Sequence, residues 1–185
     1  MSARIVVLSG NPRAGSRTSA AALAVAQKVA GAVVGGSDGA EGAFAVVELA
    51  DLAGEIFAVE HPAVDEALAT VAAASVLVVA SPVYKASYTG LLKSFFDLYQ
   101  AGDLASVTAV GVLVAGQSGH LLAGEVHFRP LLTELGAATP TPVLTLLQGE
   151  LPELDARLEP WIARYRAGLA ASVAALAREP EAVLV

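Results

Sequence analysis

Five short apolar runs rich in Val, Ile and Leu punctuate the chain, at Arg4–Leu8, Phe44–Leu49, Ser75–Ala80, Thr108–Val114 and Pro142–Leu147. Apolar residues follow one another in these runs without alternation, the pattern of parallel strands buried on both faces. Between them, Ala and Leu recur at three- and four-residue spacing. That spacing predicts helices at Thr18–Val33, Ala63–Ala74, Thr89–Tyr99, Leu121–Leu135 and Pro152–Leu176. Alternation of strand and helix predicts right-handed βαβ units and an α/β three-layer sandwich. For five parallel strands a common order is 2-1-3-4-5, which brings the carboxyl ends of strands 1, 3 and 4 together at a switch point where ligands bind.

Composition narrows this further. The chain has 185 residues, the size of one ordinary domain, so a single domain over 1–185 is expected. Apolar residues make up 55% and charged residues 16%, which excludes disorder and calls for a large core. No apolar run has the length of a membrane span, and Met1-Ser2-Ala3-Arg4 before Ile5 does not read as a secretory leader, so a soluble, cytoplasmic protein is expected. With no cysteine, thiolate metal sites, iron–sulfur clusters and cysteine nucleophiles are excluded, and redox chemistry would need a borrowed cofactor. A net charge of −7 argues against nucleic acid and anionic membranes as partners, so any anion must be held by a local site.

Three loops fall at the expected switch point. Ser9-Gly10-Asn11-Pro12-Arg13-Ala14-Gly15-Ser16-Arg17-Thr18 joins the first strand to the first helix. Its small and hydroxyl residues at a helix start, with two arginines, outline a phosphate cradle. It is not a Walker A loop, because Ser16-Arg17 stands where Lys-Ser/Thr is required, and it lacks the G-x-G-x-x-G dinucleotide fingerprint. The second loop is Ser81-Pro82-Val83-Tyr84-Lys85-Ala86-Ser87-Tyr88-Thr89-Gly90; the proline ends the strand and holds the chain extended, and Tyr84 and Tyr88 offer aromatic faces to a flat ligand. The third, Ala115-Gly116-Gln117-Ser118-Gly119-His120, combines glycines with small polar groups that permit close backbone approach. Each loop also has a plainer reading, as a capped turn, a half-buried packing loop and a glycine turn respectively.

These blocks, together with His120-Leu121-Leu122-Ala123 and Arg129-Pro130-Leu131-Leu132, resemble the NAD(P)H-dependent FMN reductases, most closely those that feed alkanesulfonate monooxygenases. The resemblance runs from Ile5 to about Leu147. It implies a flavodoxin-like fold, FMN as cofactor or substrate, reduction by NADPH or NADH, a flavin-dependent monooxygenase as possible partner, and a homodimer or homotetramer. Carried over by position, Ser9, Arg13, Ser16, Arg17 and Thr18 would hold the FMN phosphate. Pro82, Val83, Tyr84, Lys85 and Ser87 would line the ring, and Gly116, Gln117, Ser118 and His120 would close its other edge.

The sulfonate-type reductases often carry an inserted Tyr or His within Gly124–Phe128, where this chain has Val126 and then His127. Gly124 loosens the helix at that place, so a π-bulge with His127 in the inserted role is expected, the alternative being that the role is absent. An FMN-containing quinone, azo or chromate reductase would use the same loops. A flavodoxin-type electron carrier is a further alternative, less in keeping with arginines in the first loop.

Other features suggest no separate chemistry. His61, His120 and His127 are too scattered for a metal site. Trp161 and Tyr165, four residues apart, read as a core or subunit contact. Gly90–Tyr99 holds more large apolar residues than one core stripe needs, which points to a partner surface. Gly35–Gly42 reads as a loop and Arg178–Val185 as a tail.

Overall fold

The computed structural model describes residues 4–33 and 44–178, so the glycine-rich loop and the tail beyond Arg178 lie outside the described residues. In chain order the strands are β1 (Ile5–Ser9), β2 (Ala45–Glu48), β3 (Val76–Pro82), β4 (Thr108–Ala115) and β5 (Leu144–Leu147). The helices are α1 (Arg17–Val33), α2 (Leu49–Leu52), α3 (Pro62–Ala72), α4 (Gly90–Phe96), α5 (Arg129–Glu134) and α6 (Leu154–Leu176). All strands are parallel and their order is β2-β1-β3-β4-β5, the expected one. The fold is flavodoxin-like.

Every residue of β1, β3 and β4 is buried, which explains why these runs are apolar throughout. Within each strand, alternate side chains go to opposite layers. Val6, Leu8, Leu77, Val79 and Leu113 meet α3, α4 and α5 on one side, while Val7, Val76, Val78, Val110 and Val112 meet α1 and α6 on the other. Burying one such side chain contributes roughly 1.5–3 kcal/mol, so the central strands anchor the loops at their carboxyl ends. Edge strands β2 and β5 are only partly covered.

Three expectations need correction. The expected helix Leu121–Leu135 is not continuous: a 3₁₀ turn (Ser118–His120), a π-helical turn (Gly124–Phe128) and α5 follow one another. The run Phe44–Leu49 ends its strand at Glu48, and Leu49 is buried as the first residue of α2. The apolar excess of Gly90–Tyr99 is absorbed internally, because Leu92, Phe95 and Phe96 are buried and Leu91, Leu98 and Tyr99 pack against the same core. Burial also pushes the Tyr99 phenol above its ordinary pKa, with Asp103 adding to the shift. Large apolar side chains are exposed elsewhere, with Phe57, Val59 and Leu122 most open.

Candidate functional site

At the carboxyl end of the sheet, the first two loops enclose a cleft of about 370 Å³. Arg13, Ser16, Arg17 and Thr18 line it from the β1–α1 loop, Pro82 and Tyr84 from the segment after β3, and Val114 from the end of β4.

The first loop is braced by its own polar groups. Asn11 Oδ1 accepts from the Arg13 amide at 3.0 Å, and Asn11 Nδ2 donates to Thr18 Oγ1 at 3.2 Å. Gly15 takes a left-handed φ of 61° between these residues and the helix. Ser16 caps α1, its Oγ accepting from the Ser19 amide at 3.2 Å. Ser19 Oγ in turn donates to Glu48 Oε1 at the end of β2.

Gly10 ties this loop to the second one. Its amide donates to Ala80 O at 2.7 Å and its carbonyl accepts from Thr89 Oγ1 at 2.6 Å. Thr89 also caps α4, accepting from the Leu92 amide at 3.2 Å. No side chain fits at Gly10, since a Cβ there would lie 2.8 Å from Leu92 Cβ.

Beneath the loop, Ser9 is fully buried and its Oγ has no hydrogen-bond partner. A buried hydroxyl without a partner is costly, but Ser9 lies below the loop and is not among the residues that line the cleft, so the structure does not bring it to the surface that a ligand would touch. Arg13 and Arg17 are exposed at the mouth, two permanent cations on a chain of net charge −7. Helix start, the Ser16 and Thr18 residues and the two guanidinium groups together match what a phosphate group requires.

The second loop is held in a strained shape. The Tyr84 amide donates to Ser87 O at 2.8 Å and the Ser87 amide to Tyr84 O at 3.1 Å, closing a tight turn. Its central residues, Lys85 and Ala86, have φ of 52° and 64°, a conformation that favours glycine. Val83 stays extended against β4, its amide donating to Val114 O at 2.8 Å. Tyr84 is 43% exposed, with its ring at the cleft, while Lys85 projects from the turn. Tyr88, expected to offer a second aromatic face, packs instead against the buried Phe128, ring centroids 5.7 Å apart.

The third loop does not line this cleft. Gly116, Gln117 and Ser118 are exposed and His120 half-buried, in a 3₁₀ turn closed by the His120 amide donating to Gln117 O and the Leu121 amide to Ser118 O, each at 3.1 Å. Five lining residues lie outside the expected set: Asn11, Ala14 and Gly15 in the first loop, Val114 at the end of β4 and Gln148 after β5. Asn11 could have been found from its place two residues before Arg13, where Asn forms local turns. Gln148 comes from the loop after β5, outside the three switch-point loops.

The π-helical turn stands where the looser helix was expected, and its fixing explains why. Gly124 is buried so close to the β5 lead-in that a Cβ would lie 2.8 Å from Thr145 Oγ1 and Val143 Cβ. Glu125 accepts from the Val143 amide at 2.7 Å and from Arg129 Nε at 2.7 Å. Arg129 also donates to Thr139 O at 3.0 Å and to Thr141 O. Val126 and His127 face outward from this clamp.

Comparisons with known proteins agree with one another. A family model described as NADPH-dependent FMN reductase matches residues 3–149. The chain is 32% identical over 126 residues to the NADH-dependent FMN reductase SfnF of Pseudomonas fluorescens, covering 65% of this chain and 67% of that one. It is 36% identical over 99 residues to FMN reductase (NADPH) of Pseudomonas aeruginosa, about half of each chain (51% and 53%). The crystal structure of apo NADH:FMN oxidoreductase (EmoB) superposes with a TM-score of 0.74 at 26% identity, covering 96% of this chain and 92% of that one. An oxidoreductase from Corynebacterium diphtheriae gives a TM-score of 0.71 at 26% identity, covering 95% and 99%.

Proposed function

Because the chain belongs to the NADPH-dependent FMN reductase family, and is thus a flavin reductase working with FMN and a reduced nicotinamide nucleotide, we propose that the cleft between the first two loops is where FMN is held. The observation that carries this is the braced loop at the start of α1, which lines the cleft with two exposed arginines and the Ser16 and Thr18 hydroxyl residues.

In this reading Arg13, Ser16, Arg17 and Thr18 hold the phosphate. Pro82, Val83 and Tyr84 present an extended backbone and a ring face to the isoalloxazine, and the strained turn at Lys85 and Ser87 sets their position. Gly116, Gln117, Ser118 and His120, exposed at the adjoining corner, cover the far edge. FMN, when bound, supplies the hydride-accepting chemistry. The chain's task is to fix the flavin, leave one face open to the nicotinamide and keep the two rings in register. No side chain is required as acid or base.

The π-helical turn favours the sulfonate-type reading, in which reduced FMN passes to a flavin-dependent monooxygenase in the cytoplasm. His127 is then the residue that takes the inserted role. Exposed Leu121, Leu122 and Val126 around the turn support a homodimer or homotetramer that uses this corner in place of α4. No helix among the described residues is long and apolar enough to cross a membrane.

The test is anaerobic. Protein and FMN are mixed with NADH or with NADPH, and the visible absorbance of oxidised flavin is followed. Rapid bleaching that needs the protein is expected with at least one nucleotide; none with either would overturn the proposal. His127→Ala should retain flavin through gel filtration and slow reduction of added FMN. If the wild type already purifies yellow and reduces quinones faster than FMN, the quinone-reductase reading replaces this one.

A further inference from the structure

A second cleft, of about 340 Å³, adjoins the first between the start of α1 and the segment leading into α6. Its walls are mostly apolar: Ala20 and Ala21 on α1, then Leu151, Pro152 and Leu154 after β5. Arg17 and Gln148 line both clefts, so the two meet across this pair.

The second cleft is preformed. Glu150 folds back to accept from the Leu147 amide at 2.8 Å and lies 3.5 Å from Arg157, which fixes the Gln148–Leu154 segment. Lys28 bridges α1 to α6, 2.5 Å from Glu159 and 3.6 Å from Asp155, holding the two walls at a set distance.

Its chemistry points to one kind of occupant. Methyl and methylene walls suit a flat ring of low polarity, and its volume falls at the low end of the roughly 300–1,000 Å³ usual for small-molecule pockets. Gln148 adds one donor and one acceptor group, and Arg17 places a permanent cation at the border. A flat heterocycle joined to phosphate meets all of these at once.

We propose that this cleft takes the adenosine end of the nicotinamide nucleotide, with its diphosphate passing Arg17. The inference rests on the reading that the first cleft holds FMN. A dinucleotide that lays its nicotinamide over the flavin must run its remaining length outward, and across the Arg17–Gln148 border it meets an apolar pocket. Arg17 then serves two phosphate groups, one from each ligand.

Reduced nicotinamide mononucleotide separates the two readings, because it carries the reacting ring without adenosine. Ala20 is exposed on α1, so Ala20→Phe fills the pocket without crowding the core; Leu151→Gln alters the opposite wall. In the wild type, KM for the preferred dinucleotide should be at least about tenfold below that for the mononucleotide, about 1.4 kcal/mol of binding. Both variants should raise the dinucleotide KM towards the mononucleotide value, leaving mononucleotide turnover and FMN affinity unchanged. 5′-AMP should compete with the dinucleotide in the wild type and lose potency in Ala20→Phe. An unchanged dinucleotide KM in both variants, or no competition by AMP, would overturn the proposal. Equal loss of FMN, mononucleotide and dinucleotide in both would also overturn it, showing the cleft to be only structural support. Failure of the wild type to bind FMN would instead overturn the reading of the first cleft, and this one with it.

Discussion

The loops after β1 and β4 flank the same end of the sheet, yet they are built in opposite ways. The β1–α1 loop is tied at several points by its own polar groups, from Asn11 to Thr18, from Ser16 to Ser19 and from Gly10 to Thr89. The loop after β4 is exposed from Gly116 to Gly119 and is shaped by a 3₁₀ turn of two backbone hydrogen bonds without a side-chain cap. Phosphate is small, charged and the same in every FMN, so a rigid cradle loses little entropy on binding it. The ring edge must admit a second ring and release it. With FMN placed as proposed, a braced phosphate end beside an open ring edge suits a protein that exchanges partners over one flavin face.

The largest expected effect breaks the braced side at its hub. Thr89→Val leaves the buried Gly10 carbonyl and Leu92 amide without partners, which should cost at least about 2 kcal/mol in chemical denaturation. FMN affinity should fall with it, and Thr89→Ser should recover most of both.

Glycine substitutions sharpen the contrast between the loops. Gly10→Ala drives a methyl into Leu92 and should cost about 1–3 kcal/mol. Gly116→Ala meets nothing within 4 Å and should stay within about 0.5 kcal/mol of wild type. Equal melting shifts for the two would erase the distinction.

Smaller effects come from strain and surface charge. Lys85→Gly or Ala86→Gly relieves a positive φ and should stabilise the free protein by up to about 1 kcal/mol, while a freer turn weakens FMN. Lys28→Ala, far from both loops, should cost no more than about 0.5 kcal/mol, since its pair with Glu159 is partly solvated. The hydrogen bond that Lys28 donates to Glu159 raises the Lys28 pKa above its ordinary value of 10.5. That small contribution is complete below the ordinary value and is lost as pH rises through the raised one, so stability curves of wild type and variant should run parallel at neutral pH.

Much of this architecture was legible because the strands are buried on both faces: Ile5–Leu8 and Val76–Ala80 can be little else in a cysteine-free, apolar chain. Strand order then followed from topology, and the first loop from residue types that suit phosphate. What escaped depends on tertiary approach. Tyr88 looked like a cofactor face until Phe128 met it from the segment after β4. Apolar residues of α4 looked surplus because the sequence does not reveal how many layers surround a helix. Lys85 and Ala86 carry no sign of a left-handed turn, whose usual residues are Gly and Asn. Gly124 hinted at a loosened helix, but the exact extent of the π turn is set by Val143 and Thr145, twenty residues on. Gln148 was passed over because β5 stands outside the switch point, although it ends at the same edge of the sheet.

The most direct measurement compares FMN with riboflavin, which has the same ring and no phosphate, in titrations against wild type, Arg13→Ala and Ser16→Ala. Each substitution should weaken FMN roughly tenfold or more, the effect of losing one charge-assisted contact, while riboflavin affinity stays close to wild type. Equal losses for the two flavins, or no loss for either, would contradict a phosphate site in the β1–α1 loop.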